Sequence, residues 1–91
     1  MPDRAPELTV QLERALVREL AFTWHVLNGT HFKEALRQPT LALVASESHL
    51  GRWNPATRSL EISRSLVLSS PWGVVVEVLK HEMAHQYVHE V

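Results

Sequence analysis

The sequence contains no cysteine. That one absence excludes a disulfide framework, a cysteine zinc knuckle and thiol chemistry. Any metal site must therefore be built from histidine and carboxylate. An excess of charge of one sign is missing too: nine Lys and Arg against ten Asp and Glu leave a formal net charge of −1. There is no general basic footprint for nucleic acid, and Arg52, Arg58 and Arg64 are scattered in the manner of a solvated surface. Uninterrupted apolar runs such as Val74-Val75-Val76 fall far short of the roughly 20 residues a membrane helix needs. No apolar signal-peptide core follows Met1-Pro2-Asp3-Arg4, so a cytoplasmic protein without a membrane partner is expected. Internal repeats and low-complexity tracts are absent as well.

What is present suits a globular domain. The chain has 91 residues and an apolar share of 45%, which allows one domain at most, with modest burial and marginal stability. Histidine is abundant: six in all, three of them in the last eleven positions.

Periodicity predicts the elements. Leu8, Leu12, Leu16, Leu20, Trp24 and Leu27 recur every three or four residues, the stripe of an amphipathic helix from about Pro6 to Leu27. Asn28-Gly29 tolerates the left-handed conformation of a helix end and is expected to stop it. A short helical turn from Phe32 to Leu36, closed by Pro39, is expected next. Thr40 to Ser46 reads as a strand with apolar residues on both faces, as between two layers. His49 to Trp53 and Ser59 to Ser63 read as a hairpin around the turn Asn54-Pro55-Ala56-Thr57. Ser63 or Ser65 can open a short helix carrying Leu66, Val67 and Leu68. The last helix is expected to start at Ser69-Ser70-Pro71, with serine capping and proline in the first position. The β-branched run Val74 to Val78 would also suit a strand, but Trp72, Val75, Val76, Leu79 and Met83 keep helical spacing.

That helix carries His81-Glu82-Met83-Ala84-His85. Residues four apart stand one turn above the other on a helix face, so His81 and His85 can share one metal ion, and imidazole nitrogen suits Zn²⁺ at about 2.0–2.1 Å. Glu82 is rotated by about 100° from His81 and about 60° from His85, beside the metal rather than on it. There it can act as general base toward a metal-activated water and return the proton to the leaving amine. This spacing is the zincin signature. The plain alternative is a surface helix rich in His and Glu.

A hydrolytic zinc site takes three protein ligands and keeps one position open. On a continuous helix His89 stands about 12 Å along the axis from His81, too far to join unless the helix breaks after His85; Glu90 meets the same obstacle. His25, His31 and His49 could approach only through the tertiary fold. Val91 falls within what reads as the motif helix, with no cap signal. The expectation for residues 1–91 is a metallopeptidase core cut short at its C-terminus, the third ligand lying beyond Val91.

Three segments in order carry a family resemblance. They are Asn28-Gly29-Thr30-His31-Phe32-Lys33-Glu34-Ala35-Leu36, the glycine-led hairpin Leu50-Gly51-Arg52-Trp53 with Thr57-Arg58-Ser59-Leu60-Glu61-Ile62-Ser63, and Val78-Leu79-Lys80-His81-Glu82-Met83-Ala84-His85-Gln86. From about Leu20 to Tyr87 the chain resembles the SprT-like zinc metallopeptidases, the bacterial SprT and Spartan-type protease domains. The resemblance implies an α+β, zincin-like fold: an N-terminal helix and a C-terminal active-site helix on a small three-stranded sheet. It implies His81 and His85 as ligands of Zn²⁺, Glu82 as general base, and a protein or peptide as substrate. The family's third ligand is a downstream histidine that this sequence does not contain. The alternative function is a metal-binding, non-catalytic interaction or regulatory domain. Oligomeric state and cleavage preference are not legible.

Overall fold

Two long helices lie against one face of a three-stranded sheet. The structure is a computed structural model that describes residues 4–46 and 48–91, with side chains from Thr9 onward. Its elements are α1 (Arg4–His31), β1 (Thr40–Val44), β2 (Gly51–Asn54), β3 (Ser59–Ser63), α2 (Arg64–Ser69) and α3 (Trp72–Glu90). This is the expected α+β architecture. Among the described residues no helix is long and apolar enough to cross a membrane.

The α1 stripe is core over only half its length. Leu20, Trp24 and Leu27 are buried, Leu16 and Val17 pack partly, and Val10 and Leu12 are about half exposed; the side chain of Leu8 lies outside the described residues. Geometry explains the division. Twenty-eight helical residues span about 42 Å, whereas a five-residue strand spans about 17 Å. The helix outruns the sheet, and the long axis of the molecule, 49 Å against 24 and 22 Å, follows. An ion pair from Arg64 to Glu13 at 2.6 Å ties its middle to α2.

Asn28-Gly29 does not end α1, which continues to His31. The side chain of Asn28 is buried and clamps the chain that follows: its Nδ2 donates to Leu36 O at 2.9 Å and its Oδ1 accepts from Leu36 N at 3.1 Å. The reversal falls instead on Lys33 and Glu34, both left-handed at φ 54° and 59°, with Glu34 N donating to Asn28 O at 2.8 Å. The expected helical turn from Phe32 to Leu36 is therefore an irregular turn.

The strand order is β1-β3-β2. β2 and β3 form the expected antiparallel hairpin, and β1 runs parallel to β3. Leu41 and Leu43 align with Leu60 and Ile62, which align with Trp53 and Gly51; this row carries the buried face. The opposite face, Ala42, Val44, Arg52, Asn54 and Glu61, is half-buried to exposed. β1 is thus an edge strand with one buried face rather than a strand between layers. It stops at Val44, short of Ser46, and β2 starts at Gly51, later than His49. Between them Ser46 Oγ accepts from His49 N at 3.2 Å, and Ser48 Oγ meets His49 Nδ1 at 2.9 Å. Such local side-chain bonds compete with ladder pairing.

Ser63 caps α2, its Oγ accepting from Leu66 N at 3.3 Å. Ser69 and Ser70 do not cap α3. Ser69 Oγ donates to Ser65 O, and Ser70 N to Leu66 O, so both serines finish α2. Pro71 itself is the N-cap of α3, its carbonyl accepting from Val74 N at 3.0 Å. Along the helix that holds the β-branched run, Val75, Leu79 and Met83 are fully buried while Glu77 and His81, which a strand would place on the same face, are exposed; packing overrides propensity.

Candidate metal centre on the last helix

Helical spacing divides α3 into two faces. Val75, Leu79, Met83 and Gln86 point inward and are fully buried, while His81, Ala84, His85 and Val88 are exposed. His81 Nε2 and His85 Nε2 stand 3.3 Å apart. Their rings are near perpendicular, at 83°, with centroids 4.9 Å apart. At this separation one ring N–H can donate to the other ring's bare nitrogen. Two bare nitrogens so placed also fit one ion, since two ligands of tetrahedral zinc at about 2.0–2.1 Å stand about 3.3–3.4 Å apart. Imidazole nitrogen is the right donor chemistry for it.

Glu82 sits on the boundary between the faces and is 9% exposed. Its Oε1 accepts from the backbone N–H of Trp53 at 3.1 Å. The hairpin register explains how that N–H is available. Leu50 O accepts from Ser63 N, and groups alternate sides along an antiparallel strand. Residues 50, 52 and 54 therefore face β3, and Gly51 and Trp53 turn their N–H and C=O to the open edge. Gly51 brings that edge close to α3. A Cβ added there would lie 2.8 Å from Val78 Cγ1 and 3.0 Å from Glu82 Cγ.

Below the histidines a polar network fixes α3 to the rest of the fold. Buried Gln86 accepts from Trp24 Nε1 at 3.4 Å and donates Nε2 to Arg37 O at 2.9 Å and to Glu90 Oε1 at 3.1 Å. Arg58, left-handed at φ 51° after the hairpin turn, grips both Glu90 oxygens through Nε and Nη2 at 2.5 and 2.7 Å. The bond from Arg58 holds the Glu90 carboxyl well below the usual carboxylate range, at about 2, against the opposing effect of burial. The same bond raises Arg58. Arg58 and Arg64 are therefore ion-paired rather than merely solvated.

The other histidines do not join the pair. α3 runs unbroken past His85, and exposed His89 lies with its ring 6.3 Å from that of Trp53. Glu90 is held by Arg58. His25 bonds to Gln38 at 2.6 Å, His31 is exposed at the end of α1, and His49 faces Ser48. Among the described residues no group of three His, Cys, Asp or Glu could hold a metal ion.

Sequence reading missed Gly51, the Trp53 N–H and Gln86 as parts of this site. Two of them leave a signal. A glycine in a strand marks close backbone approach, and Gln86 is a polar residue in the apolar series Val75, Leu79, Met83. The Trp53 bond has none, because a backbone donor is blind to residue type.

The fold and site together define an α+β domain whose last helix carries a His-Glu-x-x-His segment beside an open sheet edge. The family model of the SprT-like family matches residues 20–91, and the chain belongs to this family. The match opens at Leu20, which is fully buried, and so takes in the buried Leu20, Trp24 and Leu27 of α1. No curated protein and no solved structure matches the chain.

Proposed function

We propose that this protein is a zinc-dependent metallopeptidase that hydrolyses peptide bonds, with His81 and His85 holding Zn²⁺ through Nε2 and Glu82 as general base. The observation that carries the reading is the 3.3 Å approach of the two Nε2 atoms on the exposed face of α3, with a carboxylate one residue from the first. Family membership is consistent with a metallopeptidase-type domain. When bound, zinc lowers the pKa of a coordinated water to roughly 7 and polarises the scissile carbonyl. Glu82 takes the proton at its carboxylate and delivers it to the leaving amine. Its bond to Trp53 N occupies Oε1 and leaves Oε2 for that transfer.

The peptide substrate lies along an open strand edge by β-augmentation. The strand order leaves two edges for it, β1 and β2. Hydrolysis of an unstructured protein by the intact protein, compared with Glu82→Gln at equal zinc occupancy, tests the reading. Loss of turnover by about 10²–10⁴-fold is expected for removal of a general base; unchanged cleavage would sink it.

A second reading is a metal-binding domain without catalysis, acting in interaction or regulation. The observation favouring it is that the described residues bring together two ligands and no third. Zinc binding with no peptidase activity in the intact protein would select it.

A further inference from the structure

We propose that Gly51 and the backbone N–H of Trp53 are positioning elements for Glu82, so that the first residues of β2 set the carboxylate for proton transfer; this rests on the peptidase reading. Three observations converge. The Trp53 N–H faces the open edge of the sheet, where nothing in β3 can accept it, yet it is satisfied by Glu82 Oε1 at 3.1 Å. Position 51 has no side chain, and the volume a Cβ would need is taken by Val78 Cγ1, Glu82 Cγ and Ile62 Cδ1 at 2.8, 3.0 and 3.2 Å. Gly51 has no positive φ. Close approach, not backbone conformation, is therefore what the glycine provides.

The two contacts act on different atoms of one side chain. Gly51 gives the Glu82 Cγ its place and so fixes the first part of the side-chain path. Trp53 N–H holds one terminal oxygen and so fixes the carboxylate plane. A carboxylate with three rotatable bonds on an exposed helix would sample many positions; pinned at Cγ and Oε1 it presents Oε2 in one. His81 and His85 take no part in either contact. The positioning of the base is thus separable from the holding of the metal. This separation distinguishes a positioning role from a merely structural one.

Two experiments test it. Amide hydrogen exchange followed by NMR reads the bond without reference to activity. Trp53 should be protected like its β3-paired neighbour Arg52. In Glu82→Ala its exchange should quicken by at least about 10-fold while that of Arg52 stays unchanged, and Glu82→Gln, whose Oε1 can still accept, should keep the protection. A Trp53 amide exchanging freely in the wild type, or indifferent to Glu82→Ala, would overturn the proposal. Turnover reads the consequence. Gly51→Ala in the intact protein should lower kcat by about 10–100-fold, the scale of a misplacement near 1 Å, with KM and zinc affinity little changed. Because this variant also crowds Val78, the double variant Gly51→Ala/Val78→Ala is the control: it should regain melting temperature and not kcat. Wild-type kcat in Gly51→Ala beside an inactive Glu82→Gln overturns the positioning role while the peptidase reading stands. Equal turnover by wild type and Glu82→Gln overturns the peptidase reading, and the role with it.

Discussion

The two faces of α3 obey different rules. On the inner face every side chain has its partners: Val75, Leu79 and Met83 are in the core, and Gln86 bonds to Trp24, Arg37 and Glu90. On the outer face two histidines turn their Nε2 atoms toward each other, and Ala84 and Val88 stand uncovered beside them. The inner face is explained by folding alone. The outer face is not, since two exposed donors at ligand spacing add little to stability. Glu82 lies between, buried like the first face and next in sequence to His81 of the second. The difference separates what folding uses from what it leaves free, and the proposed metal site lies on the free side.

The comparison can be broken at either face. The largest effect is expected inside. Leu79→Ala removes a fully buried side chain and should cost about 2–5 kcal/mol of unfolding free energy, read from urea denaturation. Next comes the outer face. Structural zinc binds with about 10–16 kcal/mol over four ligands, so loss of His85 should cost about 3–4 kcal/mol, roughly 10²–10³-fold in zinc affinity. The urea midpoint of His85→Ala should stay put, because the ring is exposed. A stability loss rivalling that of Leu79→Ala would mean the outer face is structural after all.

Smaller changes sharpen the boundary. Gln86→Leu leaves the Trp24 N–H and the Arg37 carbonyl without their partner, at about 1–3 kcal/mol, and thermal unfolding measures it. The smallest effect is acid-dependent. Glu90 is held at about 2 against an ordinary 4.5, so its contribution is whole above the ordinary value. It is lost as pH falls from about 4.5 toward 2, because the unfolded chain takes up the proton first. Arg58 is one third exposed, so solvent screening keeps this to about 1 kcal/mol or less. Arg58→Ala should flatten that part of the stability curve.

Much of this fold was legible in the chain. β3 has the bounds its alternating pattern gave and alternates through Ile62, with only Ser63, the buried cap of α2, out of step, and the Val74 to Val78 run is helical as expected. What failed was punctuation. Asn28-Gly29 looks like a helix end because both residues tolerate left-handed backbone. The structure spends the Asn28 amide on Leu36 instead, a contact eight residues away. Ser69 and Ser70 look like caps for the helix that follows and serve the one that precedes. The pairing of His81 with His85 follows from helix geometry. The bond from Trp53 to Glu82 spans 29 residues of chain and follows from no local rule, since it needs the sheet edge to arrive at α3.

The central claim is that the outer face of α3 holds a metal ion through both Nε2 atoms. The most direct measurement is a Zn²⁺ titration of the intact protein followed by the imidazole nitrogen resonances. The account predicts that Nε2 of His81 and of His85 shift together and saturate at one equivalent, with His25, His31, His49 and His89 unmoved. Saturation at other histidines, or no shift at His81 and His85 at all, would contradict it.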